Sequence, residues 1–497
     1  MIRNLRPYVL TNFSSGWFYD TTGVVAPPAS AVPPSIDLTF ESGVVMKREG
    51  EEVFSTQVLD GTVLAMFDYV TLEGTRHLLV LTTTTLYRYD LVSDSFVAML
   101  TGLHGSLSIR PSWVNFYGEM LIVNGVDPII RVQGTNADII TDSPIARTIT
   151  ALGGRVLVGN IGGASPQPAG IQWSAFLDPT NWSTLDSGSV VLGRSDDPIQ
   201  ALIPWRTQAL VMRRSSVWTV TPLDSSPFYA FDPLVEGLGT VGGGTVSPSV
   251  MGPIFLADDN IYLVKSAVPE PAGRASKEFV RLLNMQIAGR FQSVVNPSLG
   301  RYYVLVAQGG SESLTDALVY NYNDGFITLW SKTGVTSVGV TLVAKPLVWS
   351  AATFPWSSTF LSWSETGASS TRYTTLYGRT DGRVYKESGV RDAQCVFRTP
   401  LLDLDSKDPK VVEAVELIGS ESTAQLQVRL GRSLGKTDPV FTPFRSVTMS
   451  GGRALVWFSP ARSVYWCVEV VSPVPSEVFS IREVRFWFRP GGGPVAS

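Results

Sequence analysis

An all-β fold is predicted for this chain: a β-propeller of six to eight blades, preceded by an extended N-terminal arm and followed by a C-terminal β-sandwich or jelly-roll-like domain. Three observations lead there. With 45 Gly, 32 Pro, 13 Trp and 16 Tyr, the composition favours short strands joined by turns over helices. An apolar burst, a polar turn and a second apolar burst recur along the middle of the chain. Beyond about residue 393 that recurrence stops and longer alternating strands replace it. At 497 residues the chain exceeds one ordinary core, so a repeat architecture with additions is expected.

Residues 1–60 form the first predicted segment. The stretch "VVAPPASAVPPSI" (24–36) loses backbone donors at each proline and favours extended, non-helical chain. It reads as an arm or platform segment.

Residues 61–392 carry the repeat. Its copies are "RHLLVLTTTTLYRYD" (76–90), "GEMLIVNGVDPIIRV" (118–132), "GRVLVGN" (154–160) with "GIQWSA" (170–175), and "QALVMRRSSVWTV" (208–220). They continue with "GPIFLADDNIYLV" (252–264), "RYYVLVAQ" (301–308) with "ALVYNYNDGFITLW" (317–330), and "TTLYGRTDGRVYKES" (374–388). Leu79, Met120, Val156, Leu210, Phe255 and Tyr303 hold comparable places, successively 41, 36, 54, 45 and 48 residues apart. A period of roughly 40 to 50 residues for about four short strands is that of a propeller blade. One hairpin cannot bury both faces alone, and stacking blades around an axis supplies the neighbours. Asn124-Gly125, Asp324-Gly325 and Asp381-Gly382 provide turns that need positive φ, and "ADDN" (257–260) is a solvated turn rather than a metal site. One interruption, "SKEFVRLLNMQIAGRF" (276–291), places Val280, Leu283, Ile287 and Phe291 at helical spacing, with Ser276 as N-cap and Gly289 near the end. A short amphipathic helix packed on the propeller is expected there.

Residues 393–497 hold "KVVEAVELIG", "AQLQVRLG", "RALVWFS", "YWCVEVVS" and "REVRFWF". Their alternation predicts a sandwich whose inward face carries Val412, Val415, Leu417, Leu426, Val428, Leu430, Trp466, Val468, Val470, Val484 and Phe486.

Composition narrows the function. Charged residues are 16% of the chain, against roughly 25% in an average soluble protein, and mean hydropathy is +0.14. Such a surface favours association with other copies or partners. No apolar run reaches the roughly 18 residues needed to span a bilayer, and the N-terminus has no signal-peptide apolar block. A net charge of −4, from 39 basic and 43 acidic residues, gives no global field for gripping nucleic acid. Cys395 and Cys467 have no metal-ligand spacing around them and read as buried apolar side chains.

No catalytic, cofactor-binding or metal-binding set emerges. His77 and His104 are the only histidines, and both read as structural. Walker, dinucleotide, zinc-helix and nucleophile-elbow motifs are missing, and "VGGGT" (241–245) reads as a flexible connection. "NDGFITLW" (323–330) is faintly similar to the Asp-box turns of propeller sialidases, but its Asp-to-Gly spacing differs and no arginine cluster accompanies it. Lys47, Arg48, Arg213 and Arg214 are the candidates for touching DNA phosphates or an interface. Trp218, Trp330 and Trp457 fall within strand patterns, where packing explains them.

The segments "GIQWSAFLDPTNWS" (170–183), "DDPIQALIPWRTQALVMRRSSVWTVTP" (196–222) and "GTVSPSVMGPIFLADDNIYLV" (244–264), with "FESGVVMKREGEEVF" (40–54) upstream, resemble the propeller core of bacteriophage tail nozzle or hub proteins, including the packaged-DNA stabilisation proteins. Locally, Asp178 would make an Asx-turn, Pro179 would fix φ within it, and Trp182 would fold back onto the strand of Trp173. The resemblance implies a virion protein, made in the host cytoplasm, that forms a homo-hexameric ring below the portal and the adaptor (head-to-tail connector) protein. It implies a platform near the chain ends, contacts with other tail proteins or fibres, and transient non-specific contact with genomic DNA; the residues themselves indicate no membrane segment and no cofactor. Near-neutral charge suits a conduit for a sliding polyanion, and few charges suit large interfaces. A carbohydrate-binding or glycan-cleaving propeller at the tail tip is the alternative.

Overall fold

The computed structural model describes residues 5–19, 26–184, 186–193, 196–272, 276–343, 369–389, 394–420, 423–435 and 438–491. Among them, seven sheets built as antiparallel meanders follow one another at 63–101, 112–139, 146–191, 199–236, 254–271, 292–331 and 335–388. These are the blades of a β-propeller, within the predicted six to eight. Their first strands stand side by side around an axis: Ala146–Leu152 packs on both Ser112–Phe116 and Ile199–Trp205, and Val335–Val343 on both Gln292–Asn296 and Val63–Val70. The ring is closed by a strand from outside the repeat. Gly50–Val53 pairs with Val384–Ser388 as the fourth strand of blade 7, with Val53 opposite Tyr385 and Gly50 opposite Ser388. Because the chain runs from this strand into blade 1, the last blade is stitched to the first and its edge strand is paired.

The recurring hairpins are the second and third strands of the blades. Leu79, Met120, Val156, Leu210 and Tyr303 lie in second strands, Phe255 lies in the first paired strand of blade 5, and all six are fully buried. A second strand has a neighbouring blade on each side, so both its faces are covered and it reads as a continuous apolar burst. Fourth strands at the rim, such as Asn136–Ile139 and Gly188–Val191, are half to fully exposed, and their sequence carries no comparable signal.

Blade 5 differs. It has three paired strands, and its innermost place is taken by a single 3-10 turn, Gly243–Thr245, followed by a bridge from Ser247 to Ile254. The expectation of a flexible connection at "VGGGT" is corrected here. A Cβ on Gly242 would sit 2.6 Å from the Ala288 carbonyl oxygen, and one on Gly243 or Gly244 would overlap the Gln200 or Phe291 carbonyl. Only glycine lets the backbone come this close to the axis.

The first 60 residues, set apart in the sequence as an extended arm, are shared between the two parts of the molecule. Arg6–Thr11, Leu38–Glu41 and Val44–Lys47 join Ser480–Pro490, Lys410–Gly419, Arg453–Trp457 and Arg462–Ser463 in one sheet of the sandwich. The other sheet contains Cys395–Arg398, Tyr465–Ser472, Gln425–Ser433, Val440–Phe441 and Arg445–Thr448. Val24 and Val25 of the Pro-rich stretch, and the boundary expected at 392/393, lie outside the described residues. All eleven residues predicted for the inward face are buried in one core. Val412 and Val415, three apart, share that face because the register shifts between Val412 and Ala414, a bulge that adds one residue to the alternation.

That core runs on into blade 6. Trp330 Nε1 and the Thr328 hydroxyl both donate to the Leu38 carbonyl at 2.7 Å, and the Asp37 and Trp17 amides donate to Leu329 and Ile327. The rim strand Phe326–Ser331 is therefore buried along almost its whole length, unlike the fourth strands described above. The sandwich covers an edge that would otherwise offer unpaired backbone groups.

The helix expected over 276–291 is not continuous. A single α-turn, Lys277–Val280, is followed after a break by 3-10 turns over Met285–Arg290. Leu283 forms a bridge with Gln308, and the Asn284 amide donates to the Ala307 carbonyl. These bonds to blade 6 take the backbone out of the helix, while Val280, Leu283 and Phe291 remain buried. Ser276 is buried beside Asn260 and makes no side-chain cap.

Candidate functional site

The first strands leave a cavity of about 500 Å³ on the propeller axis. Its wall comes from Ser112–Phe116, Ala146–Leu152, Ile199–Trp205 and Gln292–Asn296, with the glycine turn of blade 5 opposite. Most wall polar groups are already engaged. Thr148 Oγ1 accepts from the Leu202 amide at 2.7 Å, Asn160 Nδ2 donates to the Ile199 carbonyl at 2.8 Å, and the Ser247 and Ser293 hydroxyls bond each other at 2.8 Å. Among the described residues two charged ones line it, Arg110 and Arg147, and no acid does. Arg147 is exposed, whereas Arg110 is buried in the connection between blades 1 and 2. Arg110 Nε donates to the Arg290 carbonyl at 2.8 Å, Nη2 donates to the same oxygen, and Nη1 reaches the Leu64 carbonyl at 3.4 Å. Burial, reinforced by the nearby Arg290 charge, pulls the Arg110 guanidinium down to about 9. Sequence reading missed both arginines, because nothing in the letters around them marks the axis.

A second cavity, of about 420 Å³, lies where the sandwich meets blades 6 and 7, lined by Asp37, Arg48, Glu51, Lys332, Arg379 and Gln394 among others. Glu51, on the ring-closing strand, is bonded to Lys332 Nζ through one oxygen and to Arg379 Nη2 at 2.7 Å through the other. Burial pushes its carboxyl up, but the two cations outweigh that and hold it at about 2. Lys332 lies 3.7 Å from the centroid of the Tyr377 ring, and burial lowers its pKa. The cluster fastens together the ring closure, blade 6 and blade 7.

Three of the four candidate DNA or interface contacts are corrected. Lys47 is buried, with Nζ donating to the Val474, Pro475 and Glu477 carbonyls at 2.9, 2.6 and 3.3 Å. Arg48 is buried against Asp37, Nε to Oδ1 at 2.5 Å. Arg213 is buried, and its Nε donates to the Asp197 carbonyl at 2.7 Å. These groups replace water with internal partners and lie off the exposed surface that a DNA backbone would touch. Arg214 is exposed.

His104 Nδ1 lies 2.9 Å from Asp127 Oδ1, and its amide donates to Oδ2 at the same distance. Asp127 also accepts from Asn124 Nδ2 at 2.7 Å, while Asn124 Oδ1 takes the Val126 and Asp127 amides. The same Asn-x-x-Asp clamp recurs at Asn321 and Asp324. His104 thus ties a blade-to-blade connection to a turn. His77 packs against the Tyr69 ring, and burial, then Arg88, lowers its pKa. Cys395 and Cys467 are buried and free, their thiols pushed up to about 12 chiefly by burial. Asp178 makes its Asx-turn, accepting from the Thr180 amide at 3.0 Å. Trp182, however, packs against the core cluster shared by blades 2 and 3, which includes Phe116 and Val156, whereas Trp173 belongs to the next cluster and packs with Tyr229 of blade 4. Among the described residues there is no metal-ligating cluster, and no helix is long and apolar enough to cross a membrane.

The two ends of the propeller differ in character. In a four-stranded meander, the turns joining strands 1–2 and 3–4 lie at one end. At that end Leu72, Val92, Tyr117, Phe176, Leu177, Leu223, Val250, Met251 and Val268 are exposed. At the other end the exposed large apolar residues, among the described ones, are Val58, Val126 and Leu282.

No family model matches the chain, and no curated protein matches it. Solved structures with some similarity include the extracellular domain of a hybrid two-component system of B. thetaiotaomicron. That domain is 8% identical with a TM-score of 0.39, over 83% of this chain and 47% of the other, so the chain spans about half its length. The WD40 domain of Neurospora crassa Pan2 is 8% identical, with a TM-score of 0.37 over 71% of this chain and 98% of that one. A fungal alcohol oxidase in complex with copper is 12% identical, with a TM-score of 0.38 over 91% and 90%. At these values they carry no argument about activity.

Proposed function

We propose that this protein is a structural component of a bacteriophage tail, a nozzle or hub subunit that assembles as a ring, attaches below the adaptor and forms part of the path by which genome DNA is retained and ejected. The reading starts from the resemblance of residues 40–54 and 170–264. The observation that carries it is the sandwich built from both chain ends, with three N-terminal strands completing the C-terminal sheet. The resemblance asks for a platform near the chain ends, separate from the propeller, to hold neighbouring subunits. The cluster of exposed apolar side chains at one end of the propeller supports association with further tail parts. On this reading its role is passive, and DNA contact is transient and made by the assembled ring.

The test is the mass of the purified chain by light scattering, followed by imaging of intact particles. A six-fold ring located below the connector is expected. Monomers alone at high concentration, together with absence from the particle, would sink the proposal, as would robust hydrolysis of host envelope polysaccharide.

A further inference from the structure

The axial cavity is lined by a buried cation, Arg110, whose counter-charge is not found among the described residues. Among the described residues no carboxylate pairs with Arg110, and none lines the cavity. Burying a guanidinium against carbonyls alone is costly unless another group completes its hydrogen bonding. Its three hydrogen bonds use three of the five guanidinium N–H groups and leave one on each terminal nitrogen, and a guanidinium is the side chain best suited to an oxyanion. Arg147 adds a second positive charge on the wall. The same cavity has an apolar side: Trp113, 38% exposed, lines it together with Ile149, Ile203 and Val295. Its size is that of a pocket for a small organic molecule, not for a strand of DNA.

We infer that the propeller axis binds a small organic anion, a carboxylate or a phosphate or sulfate monoester, with its oxyanion on Arg110 and its apolar body against Trp113. This goes beyond the tail reading and stands whether or not that reading survives. Phenyl phosphate is the probe, titrated calorimetrically into the full chain, with inorganic phosphate in parallel. Saturable binding of one phenyl phosphate per chain is expected, with inorganic phosphate weaker because it lacks the apolar body. Arg110→Gln should weaken binding about 10- to 100-fold. Trp113→Ala should weaken phenyl phosphate while leaving inorganic phosphate unchanged. Val295→Trp adds bulk to the cavity wall at a residue that makes no hydrogen bond to Arg110, and should abolish binding of both. Circular dichroism and melting curves identify folded variants, and Val295→Trp and Trp113→Ala decide the matter if Arg110→Gln does not fold. No saturable binding by the wild type, or binding that persists unchanged in folded Val295→Trp, overturns the inference.

Discussion

Replacing Glu51 by Gln removes the charge at the centre of the junction between ring closure, blade 6 and blade 7. Its carboxyl is held near 2 instead of 4.5, which at about 1.4 kcal/mol per tenfold change in proton affinity corresponds to about 3 kcal/mol. Burial lowers the pKa of Lys332, and that offsets part of the gain. The variant, however, also leaves Lys332, 1% exposed, without its bonded anion, and losing one partner of a buried pair costs about 3–5 kcal/mol. We therefore expect a loss of about 3 kcal/mol at pH 7, read from equilibrium urea unfolding. The pH dependence follows from the sign: the folded pKa lies below the unfolded one, so the stabilisation is complete above about 4.5 and disappears as pH falls through about 2. The gap between wild type and Glu51→Gln should be constant from pH 5 to 7 and close on acidification. Glu51→Gln combined with Lys332→Met should regain much of the loss, because no buried charge is then stranded. A loss below about 1 kcal/mol, or a gap that does not narrow at acid pH, would refute the reasoning.

Three further outcomes are expected. Gly243→Ala drives a methyl group into the Gln200 carbonyl and should cost about 1–3 kcal/mol in thermal or urea unfolding; Gly310→Ala, with no atom within 4 Å, is the neutral control, and equal effects would discredit the close-packed turn. Asn321→Ala strips the Asn323 and Asp324 amides of their acceptor and should destabilise by about 1–2 kcal/mol, while Asn124→Ala, whose clamp also holds Asp127 for His104, should cost at least as much by the same assay. Cys395 and Cys467, with thiols at about 12, should resist iodoacetamide in the native protein and take up two equivalents only on unfolding; rapid native labelling would contradict their burial.

How much of this was legible in the letters depends on where each burial partner lies. The second strands were legible because neighbouring blades cover both their faces, and that leaves apolar bursts in the sequence itself. The inward face of the sandwich was legible by alternation, apart from the bulge after Val412. Glu51, by contrast, sits in "GEEV" within the segment read as an arm, and its partners Lys332 and Arg379 are some 280 and 330 residues away. Lys47 reads as a surface cation, yet the carbonyls that hold it come from the other end of the chain. The helix over 276–291 had the right period, and two backbone bonds to blade 6 overrode it.

The sequence by itself determined the fold class and the blade hairpins, because local period and turn chemistry act over a few residues. Only the tertiary structure decided the number of blades, the strand that closes the ring, the sharing of the N-terminal segment and the charge of the axial cavity. Each of these rests on residues that meet only after the ring has closed, where desolvation, and not local preference, sets the energy.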